Sequence, residues 1–147
     1  HTVRVVTSPA SFKRDILVTT VLLEDERIIA PSATDIIYEL KAPGEVELIE
    51  FFGSRNSGGD PSNIEYTLKI DEYTSTFNPH VVNSYINETY AAFFTVKRYQ
   101  ASPPLWLITL AGKIRFSNSF KIEAKNIHPV YSFNLKTRGR ILRYRVF

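Results

Sequence analysis

Leu105-Trp106-Leu107-Ile108-Thr109-Leu110, then Ala111-Gly112, Lys113-Ile114-Arg115-Phe116, Ser117-Asn118-Ser119 and Phe120-Lys121-Ile122-Glu123-Ala124-Lys125, is the stretch whose reading decides the fold. Its first run is apolar on both faces, the pattern of a strand buried between two layers. From Lys113 onward the pattern alternates: Ile114, Phe116, Phe120, Ile122 and Ala124 oppose Lys113, Arg115, Lys121, Glu123 and Lys125. Ala111-Gly112 stands where a two-residue hairpin turn would go, although Ala is not the favoured first residue of such a turn. The stretch therefore predicts a central strand joined to a half-exposed one, and with them a sheet protein.

Upstream, Val3, Val5 and Val6 around Arg4 predict a short N-terminal strand ended by Ser8-Pro9. Asp15 to Leu23 is β-branched and apolar, the mark of a well-buried strand, and Glu24-Asp25-Glu26 reads as an acidic turn after it. Arg27 to Ala30 and Thr34 to Leu40 are strand-like on either side of Pro31-Ser32, and Lys41 to Gly44 is a turn. Glu45 to Phe52 alternates, with Glu45 and Glu47 on the solvent face beside Lys121 and Lys125 as cross-strand partners. Residues 53–63 lack any apolar side chain larger than proline and predict an exposed loop. Ile64 to Ile70 and Tyr73 to Phe77 form a hairpin across Asp71-Glu72, and Asn78-Pro79 opens a short helix over residues 79–90.

Downstream, Ala91 to Tyr99 resumes a strand, and Ser102-Pro103-Pro104 stops it before the central stretch. Val130 to Leu135 is a strand, and Thr137-Arg138-Gly139 reads as a turn into Arg140 to Phe147. Turn signals at this spacing predict about nine to eleven short strands: an all-β antiparallel sandwich or jelly roll, one domain over residues 1–147.

Composition agrees. Of 147 residues, 44% are hydrophobic and 13% aromatic, enough large side chains for a core and a lean towards strands. There is no cysteine, which removes disulfides and thiolate metal sites. There is no methionine either, and His1 opens the chain, which is expected of a processed or excised piece. No apolar run approaches the ~20 residues of a membrane-spanning helix, so no span is expected.

The net charge of +3 is local. Lys136, Arg138, Arg140, Arg143 and Arg145 fall together, with no acid from Lys136 to Phe147; setting those five aside leaves thirteen basic residues against fifteen acids, or −2.

Signatures of chemistry are weak. The Gly-rich loop lacks the Lys-Ser/Thr of a phosphate loop, since Gly59-Asp60 stands in its place. His1, His80 and His128 are isolated, no Gly-x-Ser-x-Gly occurs, and Glu24-Asp25-Glu26 falls short of the oxygen ligands that calcium needs. No catalytic residue, cofactor site or metal site is assigned. Asn87-Glu88-Thr89 is a glycosylation acceptor triplet at Asn87, used only if the chain is secreted. Trp106 reads as a core anchor rather than a sugar platform. The C-terminal aromatics alternate inward, which argues against nucleic acid.

Thr137-Arg138-Gly139-Arg140-Ile141-Leu142-Arg143-Tyr144-Arg145-Val146 resembles the closing strand of β-rich domains in phage tail and other virion structural proteins. Residues 114–126, from Ile114 to Asn126, are similar to a strand pair in jelly-roll modules of virion and adhesin surfaces. The resemblance implies a structural or attachment role in an extracellular or virion setting and assigns no functional residues. The residues themselves point the same way: Val3 and Val5 at one end and Arg138, Arg140, Arg143 and Arg145 at the other are the candidate subunit interface, with the arginines meeting the acidic clusters of a neighbouring copy. The competing expectation is a carbohydrate-binding or adhesin module built from the Gly-rich loop and neighbouring tyrosines.

Overall fold

A computed structural model describes residues 2–7, 12–55, 61–84, 94–100 and 103–146. In chain order these form β1 (Thr2–Thr7), β2 (Phe12–Ile29), β3 (Thr34–Leu40), β4 (Gly44–Arg55), a 3-10 turn (Pro61–Asn63), β5 (Ile64–Ile70), β6 (Tyr73–Phe77), α1 (Pro79–Ser84), β7 (Phe94–Gln100), β8 (Leu105–Phe116), β9 (Phe120–Asn126) and β10 (Phe133–Val146). The ten strands make two antiparallel sheets, ordered β1-β2-β10-β4-β8-β7 and β3-β9-β5-β6. The architecture is the expected all-β sandwich with one short helix. Among the described residues no helix is long and apolar enough to cross a membrane.

The core lies where the alternating faces of the two sheets meet. Trp106 on β8 is fully buried, and its indole N–H donates to the Tyr66 hydroxyl on β5 at 3.2 Å, a polar tie between the sheets. Phe51 packs on Tyr66 with ring centroids 4.5 Å apart, and Phe77 lies 5.5 Å from Tyr66. Gly53 is the cross-strand partner of Trp106, and a Cβ there would fall inside the indole. Burial raises the pKa of the Tyr66 hydroxyl, so the phenol stays protonated.

Three expected turns are strand instead, each for a pairing reason. Ala111-Gly112 lies within β8: the register shifts opposite Val46 and Leu48, and Gly112 takes φ 121°, so the glycine relieves a bulge rather than closing a hairpin. Glu24-Asp25-Glu26 lies within β2. Asp25 accepts two hydrogen bonds from Arg27, at 2.7 and 2.8 Å, while Glu26 and Glu24 stand opposite Lys136 and Arg138 of β10. Thr137-Arg138-Gly139 lies within β10. A Cβ on Gly139 would come within 2.8 Å of the Leu48 carbonyl, so close approach of β4 explains the glycine.

The turn of the central stretch is Ser117 to Ser119, and it carries the chain from one sheet to the other. Asp71, at φ 54° in the β5–β6 turn, accepts from the backbone N–H groups of Ser117, Asn118 and Ser119 at 2.7 to 3.1 Å. These bonds hold the Asp71 carboxyl below its ordinary pKa of 3.8.

Other boundaries moved less. Residues 53–55 of the expected loop extend β4, and residues 56–60 lie outside the described set. The helix is described over Pro79–Ser84, with the Asn78 side chain accepting from the Val81 N–H at 2.8 Å; the rest of the expected 79–90 span lies outside the described residues, as does Asn87. Strand β10 begins at Phe133 rather than Val130, because His128 holds the preceding loop by accepting at Nδ1 from the N–H groups of Val130 and Tyr131.

Candidate functional site

Strand alternation divides the arginines of the expected interface. With residues 137–139 in the strand, Arg138 and Arg140 share the outer face of the six-stranded sheet with Leu142 and Tyr144, and Arg143 and Arg145 take the other face. All four are exposed. On the outer face, Arg138 stands between Glu24 of β2 and Glu50 of β4, Lys136 stands opposite Glu26, and Arg140 pairs with Glu47. The acidic clusters expected on a neighbouring copy thus flank the basic strand within one molecule. Arg143 has neutral cross-strand partners, Thr19 and Gly44, and its charge partly offsets the burial that raises the Tyr38 pKa.

Val3 and Val5 lie on β1, paired with Ile16 and Arg14 of β2. Val146 also pairs with Ile16, and Arg145 pairs with Leu17, so the first and last strands meet the same short length of β2 from its two sides. Arg138, opposite Glu24, stands farther along that strand. The fold brings Arg145 near Val3 and separates both from Arg138.

The other expected cross-strand pairs are also redistributed. Glu45 is buried, its side chain 5% exposed, and accepts from Arg115 at 3.1 Å instead of standing in solvent beside a lysine. Lys121 pairs with Glu123 at 3.0 Å and with Glu39 across the outer face of the smaller sheet, and Lys69 reaches Glu123 at 3.5 Å. The Lys121 ammonium lowers the Glu123 pKa, chiefly through their hydrogen bond.

For a sugar platform the two best aromatics are spent in the core: Trp106 and Tyr66 are both fully buried. Tyr99 bonds to Nδ1 of His80 at 2.8 Å, and Tyr131 stacks on His128. A hollow of about 240 Å³ lies on the outer face of the larger sheet, with Phe52 and Leu107 as its apolar lining and Glu50, Lys136 and Arg138 around them. Among the described residues no group of three acids or histidines is placed to hold a metal ion.

Among the described residues, both margins of the six-stranded sheet are at least partly uncovered. Strand β1 covers β2 only along residues 12–17, so residues 19–29 have β10 on one side and no strand of the described chain on the other. This margin carries exposed Leu22 and Ile28, 74% and 56% accessible, together with exposed Glu24 and Glu26. The opposite margin is β7, where Lys97 and Arg98 are exposed at a bulge between Val96 and Arg98. Sequence reasoning missed both margins. The adjacent Lys97-Arg98 pair was the available signal for the second, but which strand ends a sheet depends on partners far away in the chain. Compared with known proteins, the chain matches no family model, and no curated protein is similar to it in sequence.

Proposed function

We propose that the chain is a non-enzymatic structural subunit of a larger extracellular or virion assembly, built by self-association through strand edges and complementary charge. The observation that carries this reading is the margin of β2 over residues 19–29, a long edge rich in β-branched and apolar side chains with no described strand alongside. An edge of this kind is a template for another strand, because its outward N–H and C=O groups need partners. Strand β1 already pairs with the adjoining residues 12–17 of that edge. The extracellular or virion setting rests on the resemblance carried by residues 114–126 and 137–146.

Sedimentation velocity over a range of protein and salt concentrations tests the proposal. Oligomers that grow with protein concentration and shrink as salt screens the charges are the expected result. A monodisperse monomer at every concentration overturns the reading, and glycan binding by that monomer would put a carbohydrate-binding module in its place.

A further inference from the structure

We infer that copies of this chain join head to tail, with β7 of one molecule adding to residues 19–29 of β2 in the next. The inference rests on the self-association reading above and names its interface. Among the described residues β7 ends the sheet at one side and β2 is uncovered beyond residue 17 at the other, so their union would continue that sheet from molecule to molecule. Charge selects this pairing over the alternatives. The β2 margin carries Glu24 and Glu26, while its Asp25 and its one cation, Arg27, are engaged with each other and Arg27 also with Asp35. The β7 margin carries Lys97 and Arg98 and no acid.

Two β2 margins brought together would set Glu24 and Glu26 against their own kind, and two β7 margins would oppose cations; of these pairings only the mixed one brings opposite charges together. The lengths also fit, since residues 94–98 of β7, ahead of the Tyr99 that bonds to His80 of α1, are fewer than residues 19–29 of the β2 margin. On the neighbouring β3 strand of the smaller sheet, Arg27 donates to the Ile36 carbonyl at 3.1 Å and occupies that acceptor. A lysine at an edge bulge ordinarily keeps stray strands away; here it repels basic edges while admitting an acidic one. Because successive strands from β2 to β7 are antiparallel through three intervening strands, β2 and β7 run in the same direction. The contact uses different surfaces on its two sides, so it propagates as a filament or closes as a ring.

Two charge-reversal variants test the interface: Lys97→Glu with Arg98→Glu, which makes both margins acidic, and Glu24→Lys with Glu26→Lys, which makes both basic. Each alone should raise the concentration needed for assembly by roughly tenfold or more. An equimolar mixture should recover assembly, since each variant then offers the margin that the other lacks. Thermal melting checks that each is folded.

Glu24 and Glu26 stand opposite Arg138 and Lys136, so a second measurement guards against a folding defect in the basic variant. The chain has no cysteine, and Glu24→Cys with Lys97→Cys in one molecule places thiols on opposite margins. A short thiol-reactive cross-linker should then give a ladder of covalent oligomers. A wild-type chain that never assembles defeats the self-association reading and the inference together. A wild-type chain that assembles, with both reversals folded and without effect and no ladder formed, defeats the head-to-tail interface alone.

Discussion

The interior around Trp106 and the β2 margin around Leu22 are built from similar residue types under opposite constraints. Trp106, Tyr66, Phe51 and Phe77 interlock across the two sheets, and Gly53 is shaped to its neighbour so closely that one methyl group has no room. Along residues 19–29 of β2, apolar side chains such as Leu22 and Ile28 stand in solvent, and the ladder ends without a described partner. The contrast teaches that shape complementarity governs the inside, where side chains are close-packed, whereas the margin leaves apolar side chains and charges exposed and its backbone edge without a described strand. Substitutions should therefore separate into those that unfold the protein and those that leave it folded but change its associations.

The largest effect is expected at Gly53. Gly53→Ala must displace the indole of Trp106, and it should destabilise the fold by about 3–5 kcal/mol, on the scale of losing a large core aromatic, as measured by urea unfolding. Tyr66→Phe keeps the ring and removes the acceptor of the Trp106 N–H, so a smaller loss of about 1–3 kcal/mol is expected by the same method. Thr137→Val should act in the other direction. The Thr137 hydroxyl is buried with no hydrogen-bond partner among the described residues, and replacing it with a methyl group of similar shape should stabilise the protein by about 1 kcal/mol. A loss of stability instead would show that the hydroxyl has a partner.

Asp71 tests a turn between these two regimes. Its folded pKa lies below the ordinary 3.8, so its bonds to Ser117, Asn118 and Ser119 contribute stability that is fully present above that value and lost as pH falls through the lower folded pKa. Asp71→Asn tolerates the same positive φ and has no carboxylate to protonate. Its melting temperature should be lower than wild type at neutral pH, with the gap closing as the pH is taken down in the acid range. The smallest effect on stability belongs to the margin. Leu22→Lys, at a side chain 74% accessible, should change unfolding free energy by less than about 0.5 kcal/mol while weakening assembly in sedimentation. A large loss of stability there would erase the distinction between interior and margin.

Much of the sandwich was legible in the sequence because alternation is a local property. The inward runs of β5 and β9, the Asp71-Glu72 turn, the Pro31-Ser32 break and the burial of Trp106 all follow from side chains two residues apart or from residues that exclude a ladder. Glycine and acidic runs were harder. Gly112 and Gly139 look like turns in isolation, yet one relieves a bulge and the other admits a neighbouring strand. Glu24-Asp25-Glu26 looks like a solvated turn until Arg27, Lys136 and Arg138 are placed around it.

The surroundings of the candidate interface residues were not legible in the sequence. The sequence offered charged strand ends as a candidate interface, and the tertiary structure divided Arg138 and Arg140 from Arg143 and Arg145, then set the first pair between acids of the same molecule.

By itself, then, the sequence determined the class of fold, the faces that go inward and the turns that proline or a tight hairpin demands, because a strand's two-residue period is written along the chain. Only the tertiary structure decided which strands end a sheet, which glycines are bulges and which charges find partners. Those outcomes depend on register between strands as distant as β2 and β10, and a one-residue shift of register would move every side chain to the opposite face.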